Sequence, residues 1–194
     1  MEVALQTILK KSKLENWYIV RDMFSSEECQ KLERDVVSLP NKKASTIYQE
    51  GGDDYRISDI RWLPQFSQSD WKWVYQRMWK WANIANDDNW GFDIMGWRDS
   101  PQYTHYAFPD GKYDYHGDNL SESISHRKIS MSVLLQEAEA GGKFQLLYGR
   151  EPYTIDLNKG DAVIFPSFIL HRVTRILSGE RKSIVSWISG QPFK

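Results

Sequence analysis

From Trp90 to Ile188 the sequence is a succession of short runs rich in β-branched and aromatic residues, separated by Gly, Pro and Asp. Runs of this length and spacing are typical of antiparallel sheets and not of alternating strands and helices. The predicted strands are 91–97, 101–108, 112–116, 128–136, 143–147, 153–157, 162–165, 171–176 and 182–188. This pattern predicts a mainly β fold, an antiparallel sandwich or barrel.

The first 89 residues predict helices that support the sheet, together with flanking strands. Ser25 is a hydroxyl cap followed by two acids, and the helix it starts should end before Pro40. Its apolar positions at helical spacing are Cys29, Leu32, Val36 and Val37. A second, tryptophan-rich helix over 69–85 is interpreted as packing against the sheet. Strands are predicted at 17–20 and 56–63, and a strand, turn and strand over 41–54.

Length and composition predict one domain and exclude several classes of partner. Residues 1–194 suffice for a single domain, with 1–89 as the helical support region and flanking strands and 90–194 as the β core. A net charge of −1 gives no reason to expect nucleic acid or an anionic membrane as partner. Cys29 is the only cysteine, and no bilayer-spanning or signal segment is visible, so a cytoplasmic location is expected.

Two potential metal ligands, His116 and Asp118, stand two residues apart after a strand-like run. In an extended segment, residues i and i+2 project from one face, so an imidazole and a carboxylate can approach one ion together. Gly117 between them places no side chain on the opposite face. His171, after another predicted strand, supplies a second imidazole, and two His with one carboxylate is the ligand set of non-haem Fe(II) oxygenases.

Arg181 begins a β-branched and aromatic strand ten residues beyond His171. Its planar guanidinium can hold a carboxylate with two parallel hydrogen bonds, as a dicarboxylate cosubstrate requires.

These motifs occur in an order that resembles the 2-oxoglutarate- and Fe(II)-dependent dioxygenases, in particular the prolyl 4-hydroxylase-like group. The resemblance covers the chain from Trp90 onward. The segments that carry it are Tyr106, 111–118, 141–144, 159–166, 171–174 and 179–181. It implies a double-stranded β-helix, a jelly roll whose helices support one sheet.

The resemblance also implies a role for each site residue. His116, Asp118 and His171 would hold the metal, and Arg181 the far carboxylate of 2-oxoglutarate. Tyr106 matches a tyrosine that contacts the cosubstrate, and Ser183 matches the hydroxyl of an Arg-x-Ser pair. The chain departs from some prolyl hydroxylases in having Val185 and Leu134 where those proteins have threonine and tyrosine.

The implied activity is hydroxylation of a C–H bond, with decarboxylation of 2-oxoglutarate to succinate and CO₂. Fe(II), 2-oxoglutarate and O₂ would be required, with ascorbate as an accessory. A prolyl residue in a peptide or protein is the preferred substrate. Hydroxylation of a free amino acid or sugar, and a non-catalytic metal-binding jelly roll, are the alternatives. A nucleic-acid demethylase would need a second arginine where Trp187 stands, and Asp118 argues against a halogenase.

Several residues around the motif have weaker interpretations. The polar segment 119–126 is either a lid over the metal or a plain connection. His105 should face away from the site if Tyr106 faces it, and both His105 and His126 are expected to be ordinary polar positions. Aromatic candidates for the pocket mouth are Trp62, Trp97, Tyr115, Phe144 and Trp187.

Overall fold

The computed structural model describes residues 15–44, 55–65 and 69–193 of the chain. Most of this length is antiparallel β structure, as the sequence predicts. The strands are β1 (Tyr18–Val20), β2 (Lys42–Ala44), β3 (Arg56–Trp62), β4 (Ile94–Gly96), β5 (Gln102–Ala107), β6 (Lys112–His116), β7 (Arg127–Gln136), β8 (Ala140–Gly141), β9 (Phe144–Tyr148), β10 (Glu151–Thr154), β11 (Ala162–Pro166), β12 (Leu170–Val173), β13 (Ile176–Ser178) and β14 (Glu180–Gly190).

Strand β3 is the element that curls the sheet. Its second half, from Asp59 to Trp62, pairs with β5, whereas Arg56 and Ile57 pair with β6. The resulting order is β1-β11-β7-β14-β5-β3-β6-β12-β9-β10, with β2 beside β3, β4 beside β14, and β8 paired with β13. The two halves of the folded sheet form the jelly roll that the sequence predicts.

Two helices support the larger half of the sheet. Helix α1 (Ser26–Val36) starts at the predicted cap, where the Ser25 hydroxyl accepts from the Glu28 N–H at 3.2 Å. Helix α2 (Lys72–Asn89) follows a 3₁₀ turn over Ser69–Trp71 and packs its buried face on the sheet. The Arg77 guanidinium of α2 lies 3.0 Å from the Glu28 carboxylate of α1 and ties the helices together.

Alternation along β7 separates two apolar clusters. Ile129, Val133 and Leu135 pack with the helices, whereas Leu134 packs in a second cluster between the two halves of the roll. Ser130 and Ser132 share the inner face with Leu134, so the inner face of the sheet is partly polar.

The structure corrects several predicted boundaries. Helix α2 ends at Asn89 and not at 85, because the Asn86 side chain bonds the backbone of Phe92 just beyond the helix. Val37, predicted on the buried face of α1, is 69% exposed. Strand β10 lies two residues earlier than predicted, and β8 and β13 were not predicted as separate strands.

Most of the predicted turn within 41–54 lies outside the described residues. No helix in the described part of the chain is both long and apolar enough to cross a membrane. The division at residue 90 stays a prediction, although β1, β2 and β3 from the first region all pair within the main sheet.

Candidate active site

Antiparallel pairing of β6 with β12 brings the two predicted histidine ligands together. His116 lies opposite His171 in the register of these strands, and their ring centroids are 4.1 Å apart. The register shifts before the next pair, Tyr113 with Val173, so a β-bulge lies in this part of the pairing. The His116 ring stacks on Tyr113, with centroids 3.5 Å apart.

Asp118 reaches the histidines from a turn and not from the strand. Strand β6 ends at His116, so the prediction that one extended segment aligns both residues is wrong in its geometry. The turn is fixed by the Asp118 N–H, which donates to the Ser167 carbonyl at 2.8 Å. A Cβ on Gly117 would lie 2.6 Å from Leu120 Cγ, so a larger residue here would displace the exposed Leu120 side chain.

Hydrogen bonds orient all three side chains toward one point. Nδ1 of His116 donates to the Asp114 carbonyl at 2.8 Å, and Nδ1 of His171 donates to the Ile169 carbonyl at 3.0 Å. Both Nε2 atoms are therefore left free of backbone partners, and they lie 3.8 Å and 3.3 Å from the carboxylate oxygens of Asp118. One ligand atom from each residue lies within 4.8 Å of the others, a spacing that suits a shared metal ion.

The protonation states favour metal binding. Burial, followed by the nearby His171, lowers the pKa of His116 to about 3, so this imidazole is neutral at physiological pH. Burial opposes ionisation of Asp118, but the two histidines and the Ser130 hydroxyl outweigh it and hold the Asp118 pKa below its usual value. Ser130 donates to Asp118 at 2.7 Å and lies 2.9 Å from the Ser167 hydroxyl.

Arg181 is a buried cation with unused donors. It is 3% exposed and pairs in register with Tyr106 of β5. Its Nε and Nη2 atoms have no hydrogen-bond partner among the described residues. Burial lowers the pKa of Arg181 to about 10, which leaves it protonated at neutral pH. A buried charge with orphaned N–H groups is costly and suits an anionic ligand.

The side chains of His116, Asp118 and His171 border a cavity of about 360 Å³ between the halves of the sheet. Tyr106 and Ser183 line it, whereas Arg181 is buried beside them. Burial raises the pKa of Tyr106, so its hydroxyl remains a donor. Val185 also lines the cavity, and Leu134 is in the inner apolar cluster. That Tyr106 and Ser183 contact a cosubstrate stays a prediction.

Three of the five aromatic residues predicted at the mouth line the cavity, namely Trp62, Phe144 and Trp187. The prediction is wrong for Trp97, which packs on Tyr75 and donates to the Ser186 hydroxyl. It is also wrong for Tyr115, whose ring stacks under Arg172.

The remaining histidines have partners outside the cavity, as the strand phase of His105 indicates for that residue. His105 faces Glu180 at 2.7 Å, and His126 lies 3.2 Å from Asp99. The segment 119–126 contains a 3₁₀ turn, Glu122–Ile124, and its role as a lid stays a prediction.

Arginines in the cavity wall were missed by the sequence analysis. Arg56 stacks on Tyr113 with its Cζ 4.5 Å from the ring centroid, and Arg127 stacks on Trp187 at 4.0 Å. Arg56 shares one face of β3 with Ser58, Ile60 and Trp62. This spacing of two residues is a local signal that would have placed Arg56 on the same side as Trp62. Arg127 carries no such signal, because only the long-range pairing of β7 brings it to the cavity.

Comparison with known proteins agrees with this geometry. Residues 101–189 match the model of the 2OG-Fe(II) oxygenase superfamily. A PKHD-type hydroxylase of Synechococcus is 36% identical over 81 residues, which cover 41% of this chain. The match spans 37% of the length of that relative.

Solved structures share the fold over nearly the whole chain. A prolyl-4-hydroxylase from Pseudomonas putida superimposes with a TM-score of 0.71 at 17% identity, over 96% of this chain and 99% of that one. A prolyl hydroxylase from Trichoplax adhaerens, in complex with a hypoxia inducible factor peptide fragment, gives a TM-score of 0.73 at 16% identity, over 97% and 90% of the two chains. Residues 101–189, which contain all the predicted site residues, thus match the 2OG-Fe(II) oxygenase superfamily, and nearly the whole chain shares the jelly-roll fold of the solved prolyl hydroxylases.

Proposed function

We propose that the chain is an Fe(II)/2-oxoglutarate-dependent dioxygenase that hydroxylates a prolyl residue in a peptide or protein. The observation that carries the proposal is the convergence of His116, Asp118 and His171, whose ligand atoms lie within 4.8 Å of one another. Two imidazoles with one carboxylate leave metal positions open, as an oxygenase requires.

The metal fits the donor set of the chain. The backbone carbonyls of Asp114 and Ile169 fix the tautomers, so each histidine offers Nε2. Ser130 occupies one lone pair of the Asp118 carboxylate and holds its orientation. These partners keep the three ligands in place before a metal binds, which lowers the entropy cost of binding.

Arg181 fits a dicarboxylate cosubstrate. Its orphaned Nε and Nη2 offer two donors, which a carboxylate can accept side by side. The Tyr106 and Ser183 hydroxyls, next to Arg181 in the pairing of β5 with β14, supply further donors. The iron and 2-oxoglutarate would together activate O₂, with one oxygen atom entering succinate and the other the substrate C–H bond. The inner apolar cluster excludes water around them.

The walls of the cavity support a prolyl peptide. Proline is compact and apolar and favours an extended polyproline II backbone, which docks well in aromatic grooves. Tyr113, Trp62 and Trp187 supply aromatic surface, and Arg56 and Arg127 supply N–H groups for peptide carbonyls. The fold neighbour from Trichoplax, solved with a peptide fragment, supports the same substrate class.

The test supplies Fe(II), 2-oxoglutarate, ascorbate and proline-containing peptides under ¹⁸O₂. Mass spectrometry should find one labelled oxygen on proline and an equal amount of succinate. Labelled oxygen on a free amino acid or sugar, with none on any peptide, would replace the prolyl substrate with a small molecule. Absence of succinate together with absence of metal-dependent 2-oxoglutarate binding would reject the enzyme and leave a non-catalytic module.

A further inference from the structure

The cavity wall carries more positive than negative charge. Arg56 from β3, Lys42 and Lys43 from β2, and Arg127 from β7 all border it. Among the described residues in the wall, Asp118 is the only carboxylate. This imbalance is local, because the whole chain has a net charge of −1.

Arg56 forms no ion pair among the described residues, and its hydrogen-bond partners are neutral side chains. Its Nε donates to the Ser58 hydroxyl at 3.0 Å, and its Nη2 donates to Gln102 Oε1 at 2.7 Å. Arg127 differs, since its Nε donates to the Asp99 carboxylate at 2.8 Å. Asp99 thus neutralises one arginine of the wall and leaves the other uncompensated.

Lys42 of β2 has no carboxylate opposite it, whereas Lys43 lies opposite Asp59 in the register of β2 with β3. Lys42 lies opposite Ile60 in register, and Ile60 lines the cavity. Within 15–44, 55–65 and 69–193, no ion pair forms at Lys42 or Lys43. The Lys42 side chain is exposed, so its ammonium group is available to a ligand at the mouth.

Binding of Fe(II) and 2-oxoglutarate, as proposed above, would not remove the excess positive charge of the cavity wall. Two positive charges of Fe(II) and one of Arg181 balance Asp118 and the two carboxylates of 2-oxoglutarate. Arg127 balances Asp99. The charges of Arg56 and Lys42 remain, and both residues border the cavity in which the substrate would lie.

We propose that this cavity selects an acidic peptide, in which a side-chain carboxylate near the target proline is bound by Arg56 and Lys42. The inference rests on the proposed function and names the substrate class for that site. Arg56 stacks on Tyr113 at 4.5 Å, and Tyr113 stacks on the ligand His116 at 3.5 Å. An extended chain advances ~3.3–3.6 Å per residue, so the acid belongs about one to two residues from the proline.

The experiment compares blocked, C-terminally amidated peptides that place Glu or Gln at about one, two or six residues from a single proline. Binding is measured anaerobically by fluorescence anisotropy on the protein loaded with Fe(II) and 2-oxoglutarate. The Glu peptides should bind roughly three- to tenfold tighter than their Gln partners at the near positions and equally at the far one. Higher salt should reduce the preference.

Variants assign the preference to residues. Lys42→Glu and Arg56→Gln should each reduce the ratio of Glu to Gln affinity, whereas Lys80→Glu, an exposed charge change on α2, should leave it unchanged. Because Lys42 is exposed, its substitution also tests the proposal if Arg56→Gln fails to fold.

Equal affinities for the Glu and Gln peptides in the wild-type protein, with succinate formation intact, would overturn the acidic-peptide inference alone. A preference that appears only in peptides with a free C-terminal carboxylate would also overturn it, in favour of chain-end recognition. Loss of succinate formation and of metal-dependent 2-oxoglutarate binding would instead overturn the proposed function.

Discussion

Each imidazole of the candidate metal site has one nitrogen bonded to the backbone and one left for a metal. Because both Nδ1 atoms donate to carbonyls of their own strand regions, the tautomer is set by local structure. The low pKa of His116 removes proton competition at neutral pH. Asp118 is then the anionic member of the set, and its removal tests the assignment most directly.

Asp118→Ala should abolish Fe(II)-dependent succinate formation and leave the fold intact. The change removes the one carboxylate of the ligand set, while Ser130 keeps the Ser167 hydroxyl as a partner. Asp114→Ala is the matched control, since its half-exposed side chain pairs with Lys112 and its carbonyl, which His116 needs, is retained. Succinate assays and circular dichroism measure both effects. Activity of Asp118→Ala at the wild-type level would refute the iron assignment.

Arg181→Leu should raise the 2-oxoglutarate requirement by roughly ten- to a hundredfold, the equivalent of losing about 1.5–3 kcal/mol from charge-assisted hydrogen bonds. Equilibrium binding of 2-oxoglutarate in the presence of metal measures it. Arg172→Leu is the control, because that guanidinium stacks on Tyr115 outside the cavity. If the 2-oxoglutarate titration of Arg181→Leu coincides with that of the wild type, another cation holds the cosubstrate. Lys128 and Lys182 are then to be tested in turn.

At the scale of elements, the structure explains the glycine and the aspartate in the segment from Lys159 to Pro166, which the sequence identified only by resemblance. Gly160 has a φ of +90°, and a Cβ there would lie 2.1 Å from the Phe24 carbonyl oxygen. Asp161, 1% exposed, accepts the N–H groups of Asp22 and Asn158 and the Arg21 guanidinium. This hydrogen-bonded corner anchors β1 against β11 and thereby fixes the inner wall beside the metal site.

The stabilisation from Asp161 should depend on pH. Burial raises its pKa, but the two backbone N–H groups and Arg21 outweigh burial and lower the pKa in the folded state. The unfolded chain therefore binds the proton more tightly, so the contribution is full above about pH 4 and falls as the pH drops through the folded pKa. Asp161→Asn should cost about 1–3 kcal/mol at pH 7 and progressively less toward pH 3.

Urea unfolding of both proteins between pH 3 and pH 7 measures this difference. Asp156→Asn serves as control, because its side chain is exposed and its carbonyl, which accepts from Arg21, is unchanged. A cost that stays constant across this range would show that the charge of Asp161 contributes nothing.

Local pattern predicted the elements better than it predicted their partners. Alternation and turn residues are encoded within a few positions, so strands such as β6 and β7 were located from sequence within one residue. Asp118 was predicted as a ligand for a geometry that it does not have, since the turn that presents it depends on a bond to Ser167, 49 positions away. Residue type and order sufficed for the ligand set, whereas its geometry required the fold.

At the scale of the whole molecule, the cavity is assembled from segments that are distant in sequence. Strand β3 joins the two halves of the sheet and brings Arg56, Ile60 and Trp62 to a wall that continues through β5 and β14 to β7. No local signal encodes such a pairing, so the sequence predicted a jelly roll but could not place Arg127 in its wall. The region before Trp90 therefore contributes to the site and not only to its support.

A buried, unpaired Arg181 at the centre of the roll should make the stability of the whole chain depend on ligands. Since a ligand that binds only the folded state stabilises it by about 2.7 kcal/mol at a hundredfold excess over its Kd, 2-oxoglutarate with Mn(II) should raise the Tm by roughly 5–10 °C. Mn(II) replaces Fe(II) to avoid turnover during heating. Arg181→Leu should lose most of the shift from 2-oxoglutarate while keeping the shift from the metal, and Asp118→Ala should lose both. A wild-type Tm that does not respond to 2-oxoglutarate at saturating metal would contradict the role of Arg181, whatever the activity of the protein.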